Sequence, residues 1–309
     1  MIIVAGENVV DLVPAGDGLL RAALGGGPAN TAVAAARLGA PVAMAARLGQ
    51  DAFGAAFRGR LAAAGVDGRY LVNAAQPSAL ALASIGPDGQ ARYDFWLAGA
   101  ADFGWRDHEL PEPPAGAILH LASLAAFLPP GADTLEHWAR QHSPQCTVTF
   151  DPNLRPVALT QPDSLVRLER LVALAHVVKA SEDDLRLAYP DTPVLETAER
   201  WLHSGPSLVV LTHGAAGATA LTGSGRAAVP SPDVRVSDTI GAGDTAMGAL
   251  LCALHARGAL TAGALRALAS EELAEILRYV CVAAALACVR PGADPPTAVE
   301  VAAARITGL

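Results

Sequence analysis

Short apolar runs alternate with longer alanine-rich or amphipathic stretches along most of the chain. Six runs have the length and composition of buried strands, namely residues 2–5, 42–47, 117–121, 147–151, 175–179 and 207–212. Helical stretches separate most of them, and the first two, at 29–38 and 52–64, are each followed by a glycine. Strands separated by helices need crossover connections, which form parallel sheets. The pattern therefore predicts an α/β fold with a mostly parallel central sheet.

Two hairpins interrupt this alternation. Residues 78–85 and 90–97 are strand-like and are joined by Pro87-Asp88-Gly89, which is a typical hairpin turn. A second hairpin is predicted at 217–222 and 226–229, and residues 243 to about 289 are expected to be mostly helical. A hairpin within an α/β chain indicates an inserted sheet, so we expect one α/β domain with a small β appendage.

The composition supports a large core and limits the classes of partner. The 309 residues are 52% hydrophobic and 17% charged, the opposite of a disordered chain. A net charge of −8 argues against general nucleic-acid binding, which needs clustered Lys and Arg. The four Cys and eight His lack zinc-site spacing. With no signal peptide and no apolar run of about 18–20 residues, we expect a cytoplasmic protein without a membrane segment.

Residues 238–248, DTIGAGDTAMG, lie between an extended segment and a helical one. Glycines at the start of a helix let backbone N–H groups approach a ligand, and these groups have no partner within the helix. Together with the helix dipole they form an anion site suited to a phosphoryl group. Asp244 would repel an anion, but it fits a base that takes a proton from an attacking hydroxyl. On spacing alone, a carboxylate that only stabilises the helix is the alternative.

A second glycine cluster, Gly25 to Asn30, also precedes a helix. It is neither a P-loop nor GxGxxG, and the absence of GxGxxG after the first strand disfavours a dehydrogenase. Asn30 offers a donor and an acceptor that suit sugar hydroxyls. A plain loop and cap is the alternative, just as Asp11 could be an ordinary turn carboxylate.

Taken in order, these segments resemble the ribokinase-like (PfkB) family of carbohydrate kinases, and most closely its fructokinase-type members. The segments that carry the resemblance cover nearly the whole chain, namely Gly6 to Asp11, 25–39 with RLGQDAFG (47–54), DPNLR (151–155), KASEDD (179–184), VVLTHGAAG (209–217), DTIGAGD (238–244) and PGADPP (291–296). The resemblance implies a three-layer α/β/α fold in a single domain over 1–309. It also implies a β-sheet lid from inserted segments at about 11–24 and 68–106.

The resemblance further implies an ATP-dependent sugar kinase that phosphorylates a primary hydroxyl. Asp244 would be the catalytic base, with Gly241, Ala242 and Gly243 as the anion-hole amides. Contacts to the sugar are expected at Asp11, Gly26, Asn30, Phe95 and Arg155, the last of which could also reach the phosphates. Contacts to the nucleotide are expected at Lys179, Ser181, Thr212, Gly214, Gly217, Gly243 and Gly292. His213 is assigned no catalytic role.

The implied cofactors are ATP and Mg²⁺, and potassium is a further option. Asp184 would organise Mg²⁺ through water, because Mg²⁺ keeps much of its hydration shell. The family often has Asn and Glu where this chain has Ser181 and Asp184, and this pair can equally be a helix capping box. Asp238 and Ile240 match positions that bind a monovalent cation in some relatives.

Fructose is the first choice of acceptor, because DPNLRP and the stretch at 92–105 look most like fructokinase-type members. 2-Keto-3-deoxygluconate, ribose and a nucleoside remain open. A keto acid needs a cation for its carboxylate, and Arg92 and Arg106 are the candidates. The rival class is a non-catalytic sugar- or nucleotide-binding protein, which would be expected to lose the base or the anion glycines. Lid edges often pair in this family, so a homodimer through the lid is a further expectation.

Overall fold

Two β-sheets carry the strands of this chain. A computed structural model describes residues 1–85 and 91–306, and the predicted turn Pro87-Asp88-Gly89 lies outside them. The strands in chain order are β1 (Ile2–Ala5), β2 (Val9–Pro14), β3 (Leu20–Leu24), β4 (Val42–Gly49), β5 (Asp67–Ala74), β6 (Ala79–Ile85), β7 (Ala91–Trp96), β8 (Ile118–Ala122), β9 (Thr147–Asp151), β10 (Val177–Ser181), β11 (Leu208–Thr212), β12 (Ala218–Thr222) and β13 (Arg226–Val229).

Helices follow most strands of the larger sheet. They are α1 (Gly27–Arg37), α2 (Ala52–Ala63), α3 (Gly131–His142), α4 (Pro156–Leu159), α5 (Ser164–Leu174), α6 (Glu182–Ala188), α7 (Val194–Ser204), α8 (Ala242–Arg257), α9 (Ala262–Ala267), α10 (Ser270–Cys288) and α11 (Ala298–Ile306). Over the described ranges, no helix combines the length and the apolar composition that crossing a membrane would require.

The larger sheet has nine strands in the order β13-β12-β11-β10-β9-β8-β1-β4-β5. The seven strands from β11 to β5 run parallel, and β12 and β13 are antiparallel at one edge. Alternate residues of β1 face opposite sides: Ile2 and Val4 pack with α1, α8 and α10, whereas Ile3 and Ala5 pack with α3, α5 and α7. The predicted three-layer α/β/α fold with a mostly parallel sheet is confirmed, as is the hairpin of β12 and β13.

The smaller sheet has four strands in the order β3-β2-β6-β7. β2 pairs antiparallel with β3 and parallel with β6, and β6 pairs antiparallel with β7. Within the segment 68–106, β6 and β7 lie in this sheet, but β5 pairs parallel with β4 at the edge of the larger sheet. β5 lies there because α2 is a crossover between β4 and β5, and such a connection returns the chain to the same sheet.

Helices α1 and α8 pack against each other through small residues. A Cβ atom on Gly248 of α8 would lie 2.8 Å from the Cβ of Ala34 and 2.9 Å from the backbone nitrogen of Ala35, both in α1. Real Cβ atoms do not approach so closely, so a side chain at this position would push the two helices apart. Both helices begin near the carboxyl ends of the parallel strands, and the close packing fixes their starts relative to each other.

Candidate active site

The carboxyl ends of the parallel strands and the small sheet enclose a cavity of about 400 Å³. Ligands of open α/β sheets bind in this kind of crevice. The residues of the predicted site that line it are Asp11, Gly26, Asn30, Phe95, Arg155, Asp238, Ile240, Gly241, Gly243, Asp244 and Gly292. Residues that are 233 positions apart in sequence, Asp11 and Asp244, therefore face one space.

Asp244 lies in the first turn of α8. Gly241 caps this helix in the left-handed conformation with φ 76°, and Ala242 is its first residue. The Nδ2 of Asn30 donates to Oδ2 of Asp244 over 2.8 Å. Burial raises the pKa of Asp244, and this rise is opposed by the Asn30 bond and by the charges of Lys179 and Arg155. A carboxylate with a raised pKa is a stronger base, which suits removal of a hydroxyl proton.

The glycine cluster before α1 lets this helix start close to Asp244. A Cβ atom on Gly27 would lie 2.6 Å from Nδ2 of Asn153 and 3.4 Å from Oδ1 of Asp244. Asn153 itself adopts a positive φ of 39°, which Asn tolerates better than most residues. A side chain at position 27 would therefore meet both Asn153 and Asp244.

A buried ion pair lies beneath the first turn of α8. Nζ of Lys179 donates to Oδ2 of Asp151 over 2.7 Å, and the two side chains are 5% and 2% exposed. A Cβ atom on Gly243 would lie 3.4 Å from this Nζ, so the ammonium is next to the backbone of the turn that is predicted to bind the phosphoryl group. Burial alone would lower the pKa of Lys179, but Asp151 and nearby carboxylates raise it. Lys179 therefore holds a fixed positive charge under the turn.

Burial and Lys179 have opposite effects on the pKa of Asp151. Burial raises its pKa to about 6, although Lys179 acts in the opposite direction. Its Oδ1 atom is buried and has no hydrogen-bond partner among the described residues. The pair is thus held together by one strong contact rather than by a satisfied network.

Around Asp11 and Arg155, the cavity lining combines charged groups with two aromatic rings. Burial raises the pKa of Asp11 to about 6, while Arg155 lowers it and Asp244 raises it further. Tyr93 and Phe95 stack with ring centroids 6.1 Å apart, and both line the cavity. This combination of polar groups and aromatic faces suits a small polyhydroxy compound.

Five predicted nucleotide contacts lie outside the cavity lining: Lys179, described above, and four residues at the ends of neighbouring strands. Ser181 ends β10 and Thr212 ends β11, and these two residues are register partners. Gly214 and Gly217 flank the turn that follows β11. His213 of the same turn contacts Glu182 and Thr219 at 2.9 Å through its two ring nitrogens, in keeping with a structural neighbour of the site.

Asp184 acts as a helix cap in this structure. Its Oδ1 accepts from the backbone N–H of Leu154 over 2.7 Å, and its Oδ2 accepts from the N–H and Oγ of Ser181 over 2.8 and 2.6 Å. Both oxygens are engaged, so Asp184 does not fit a direct ligand of Mg²⁺. Within residues 1–85 and 91–306 no group of three or more His, Cys, Asp or Glu could hold a metal ion. A contact of Asp184 to Mg²⁺ through water stays a prediction.

Asp238 joins two loops at the entrance of the site. Its Oδ1 accepts from the N–H of Ile240 over 3.0 Å, and its Oδ2 accepts from the N–H of Gly292 over 2.8 Å. The carboxylate thus fixes the loop before α8 to the loop after α10. Binding of a monovalent cation by Asp238 and Ile240 stays a prediction.

Several residues of the cavity were not predicted from the sequence. Glu7, Ser123 and Asn153 line it, and each follows a strand of the larger sheet, a position that could have drawn attention to them. Arg21 of β3 also lines it. Of the cations considered for a keto acid, Arg106 is exposed and away from the lining, and the side chain of Arg92 lies outside the described residues.

Comparison with known proteins places these features in context. The sequence profile described as "pfkB family carbohydrate kinase" matches residues 18–299. The fructokinase of Klebsiella pneumoniae is 35% identical over 262 residues, which is 82% of this chain and 84% of that protein.

Solved structures agree with this assignment. The fructokinase of Xylella fastidiosa with bound ATP superposes with a TM-score of 0.90 at 26% identity, over 100% of this chain and 99% of that one. A fructokinase double mutant of Vibrio cholerae with fructose, ADP and a potassium ion bound gives 0.85 at 28% identity, over 98% and 97% of the two chains.

Proposed function

The chain belongs to the pfkB family of carbohydrate kinases, which are phosphotransferases, and on that premise we propose that it transfers the γ-phosphate of ATP to a primary hydroxyl of fructose. The observation that carries the proposal is Asp244. It lies in the cavity, in the first turn of α8, and accepts a hydrogen bond from Asn30 over 2.8 Å. A base and an anion-binding turn thus occupy one helix start.

In the proposed reaction the sugar lies between the helix starts and the small sheet, which serves as the lid. The Asp244 carboxylate takes the hydroxyl proton as the oxygen attacks the γ-phosphorus, and the bond to the β-phosphate oxygen breaks to release ADP. The backbone N–H groups of Gly241 to Gly243 stabilise the transferred group, and the ammonium of Lys179 beneath them adds positive charge. A lid that excludes water prevents water from acting as the acceptor.

The nucleotide would extend from Gly243 towards Thr212, Gly214 and Gly217 at the ends of the strands. Mg²⁺ bound to the phosphates would offset their charge, and Asp184 would hold it only through water. The Vibrio cholerae structure contains a potassium ion, which supports the proposal that this chain binds a monovalent cation, for which Asp238 and Ile240 are the candidates. Exposed Leu20 and Trp96 on the small sheet support the proposal that two copies pair through their lids.

Fructose is preferred as acceptor because the relatives compared above are named fructokinase. A sugar acid such as 2-keto-3-deoxygluconate is the second candidate, because Arg21 and Arg155 both line the cavity and could bind a carboxylate. A coupled ADP-release assay on fructose, 2-keto-3-deoxygluconate, ribose and a nucleoside distinguishes these acceptors. ATP binding without turnover on any of them would favour the non-catalytic class.

The role of Asp244 is tested by Asp244→Asn, which keeps the shape and removes the base. We expect kcat to fall at least about 10²–10⁴-fold, which is the usual contribution of general base catalysis, while ATP and sugar still bind. Asp183→Asn is the matched control, because Asp183 lies in the first turn of α6 with its side chain 95% exposed. If Asp244→Asn turned over like Asp183→Asn, Asp244 would be only a helix-stabilising carboxylate.

A further inference from the structure

Arg60 reaches the cavity wall from α2, where no sequence motif marks it. Its Nη1 donates to the backbone oxygen of Leu24 over 2.8 Å. Its Nη2 donates to Oδ1 of Asn30 over 2.8 Å and to the backbone oxygen of Ala293 over 3.2 Å. The guanidinium thus joins the end of strand β3, the first turn of α1 and the loop after α10.

The bond from Arg60 fixes which way the amide of Asn30 points. A guanidinium has only donors, so it can bind only the amide oxygen, and an ionised Asp244 has only acceptors, so it can bind only the amide nitrogen. The two contacts therefore form a directed chain from Arg60 through Asn30 to Asp244, with both bonds at 2.8 Å. Asn30 keeps one N–H and one lone pair for a sugar.

Arg60 also acts on Asp244 through its charge. Asp244 experiences three cations, Lys179, Arg155 and Arg60, and each lowers its pKa against the effect of burial. The charge of Asp244 in turn raises the pKa values of Asp11 and Asp151. Burial lowers the pKa of Arg60, and Asp244 and Asp294 oppose this. Arg60 also bonds to Asn30, the residue that orients Asp244.

We propose that Arg60 is a positioning residue that orients Asn30 toward the base and fixes the lid strand and the loop after α10 around it. The proposal rests on the proposed function, since it assigns Arg60 to the same phosphoryl transfer. One planar group binds three oxygens from distant parts of the chain. A lysine ammonium is a point charge and cannot reproduce this geometry.

Arg60→Met and Arg60→Lys test the proposal by pH profiles of kcat on the sugar that the wild type phosphorylates. With Met we expect kcat to fall about 10–100-fold, the scale of loss when a reacting group is misplaced. The acid limb should move to higher pH, because loss of a cation raises the pKa of Asp244 and protonates the base sooner. With Lys we expect kcat to be reduced, because the geometry is lost. The acid limb should stay close to that of the wild type, because the charge remains.

Arg58→Met is the matched control, because Arg58 lies on the same helix and bonds to Oδ1 of Asn73, away from the cavity. An Arg60→Met enzyme with the kcat and acid limb of Arg58→Met would overturn the inference while the proposed function stands. A wild type without turnover on any acceptor would overturn the proposed function and the inference together. If Arg60→Met does not fold, Arg60→Lys decides: wild-type kcat overturns the inference, and reduced kcat supports it.

Discussion

Replacement of Lys179 by methionine tests the buried ion pair beneath the first turn of α8. Methionine keeps most of the volume of the lysine side chain but removes the ammonium. Asp151 is then left with a side chain that is 2% exposed, and the 2.7 Å contact to its partner is lost. The change isolates the electrostatic role of Lys179, because the packing around it is nearly conserved.

The expected cost is about 3–5 kcal/mol of unfolding free energy, which is typical when one partner of a buried pair is removed. The cost should depend on pH, because Asp151 can escape it by protonation. Its folded pKa is already raised to about 6 by burial against the effect of Lys179, and without Lys179 it rises further. The deficit relative to the wild type is therefore largest above pH 8 and shrinks as the pH falls towards 5.

Urea unfolding followed by the fluorescence of the four tryptophans measures this deficit at pH 8.5 and 5.5. The control is Lys179→Met combined with Asp151→Leu, which removes both charges. We expect the double variant to be within about 1 kcal/mol of the wild type, because replacement of a whole buried pair by apolar residues is often neutral. The rate of phosphoryl transfer should be well below the wild-type rate in both variants, because both lack the ammonium of Lys179. A single variant as stable as the double one at pH 8.5 would refute the reasoning.

Two further predictions concern Asp11 and Gly27 at the proposed sugar site. The KM for the sugar should rise as the pH falls through about 6, because protonation of Asp11 removes an acceptor. Asp11→Asn should raise KM at pH 8 and flatten this dependence, and an unchanged pH dependence of KM in the variant would contradict the assignment. Gly27→Ala should lower kcat about 10–100-fold by displacing Asn153. Gly59→Ala should leave kcat unchanged, because a Cβ atom there meets no described atom within 4 Å. Equal turnover of the two variants would exclude this role for Gly27.

The features that sequence could predict are those in which local pattern decides the structure. Buried apolar runs identified most of the parallel strands, and the predicted ends lie within two residues of the observed ones. The strand predicted at 175–179, for example, is observed at Val177–Ser181. β5 was not predicted, since an edge strand with a largely exposed or half-buried pattern lacks an apolar run.

Some residues of the candidate site could also be predicted from the sequence, and others are recognised only in the folded chain. Glycine-rich turns and the end of the first strand drew attention to Asp244, Asn30 and Asp11, and the resemblance to the ribokinase-like family then implied their roles. Arg60 was not, because its three partners are spread from Leu24 to Ala293 and only the folded chain brings them together. The capping role of Asp184 was left open by sequence, because a capping pair and a metal-organising pair have the same spacing. Only the donors around its two oxygens distinguish these uses.

The close packing of α1 and α8 has an evolutionary consequence. The separation between the backbones of α1 and α8, which carry Asn30 and Asp244, is set within the core, where Gly248 meets Ala34. The small sheet bounds the other side of the cavity, where its residues Asp11, Tyr93 and Phe95 line the proposed sugar site. Substitutions of these cavity-lining side chains can therefore change which acceptor fits without altering the packing of α1 against α8, so specificity can diverge while the spacing of the two helices is inherited.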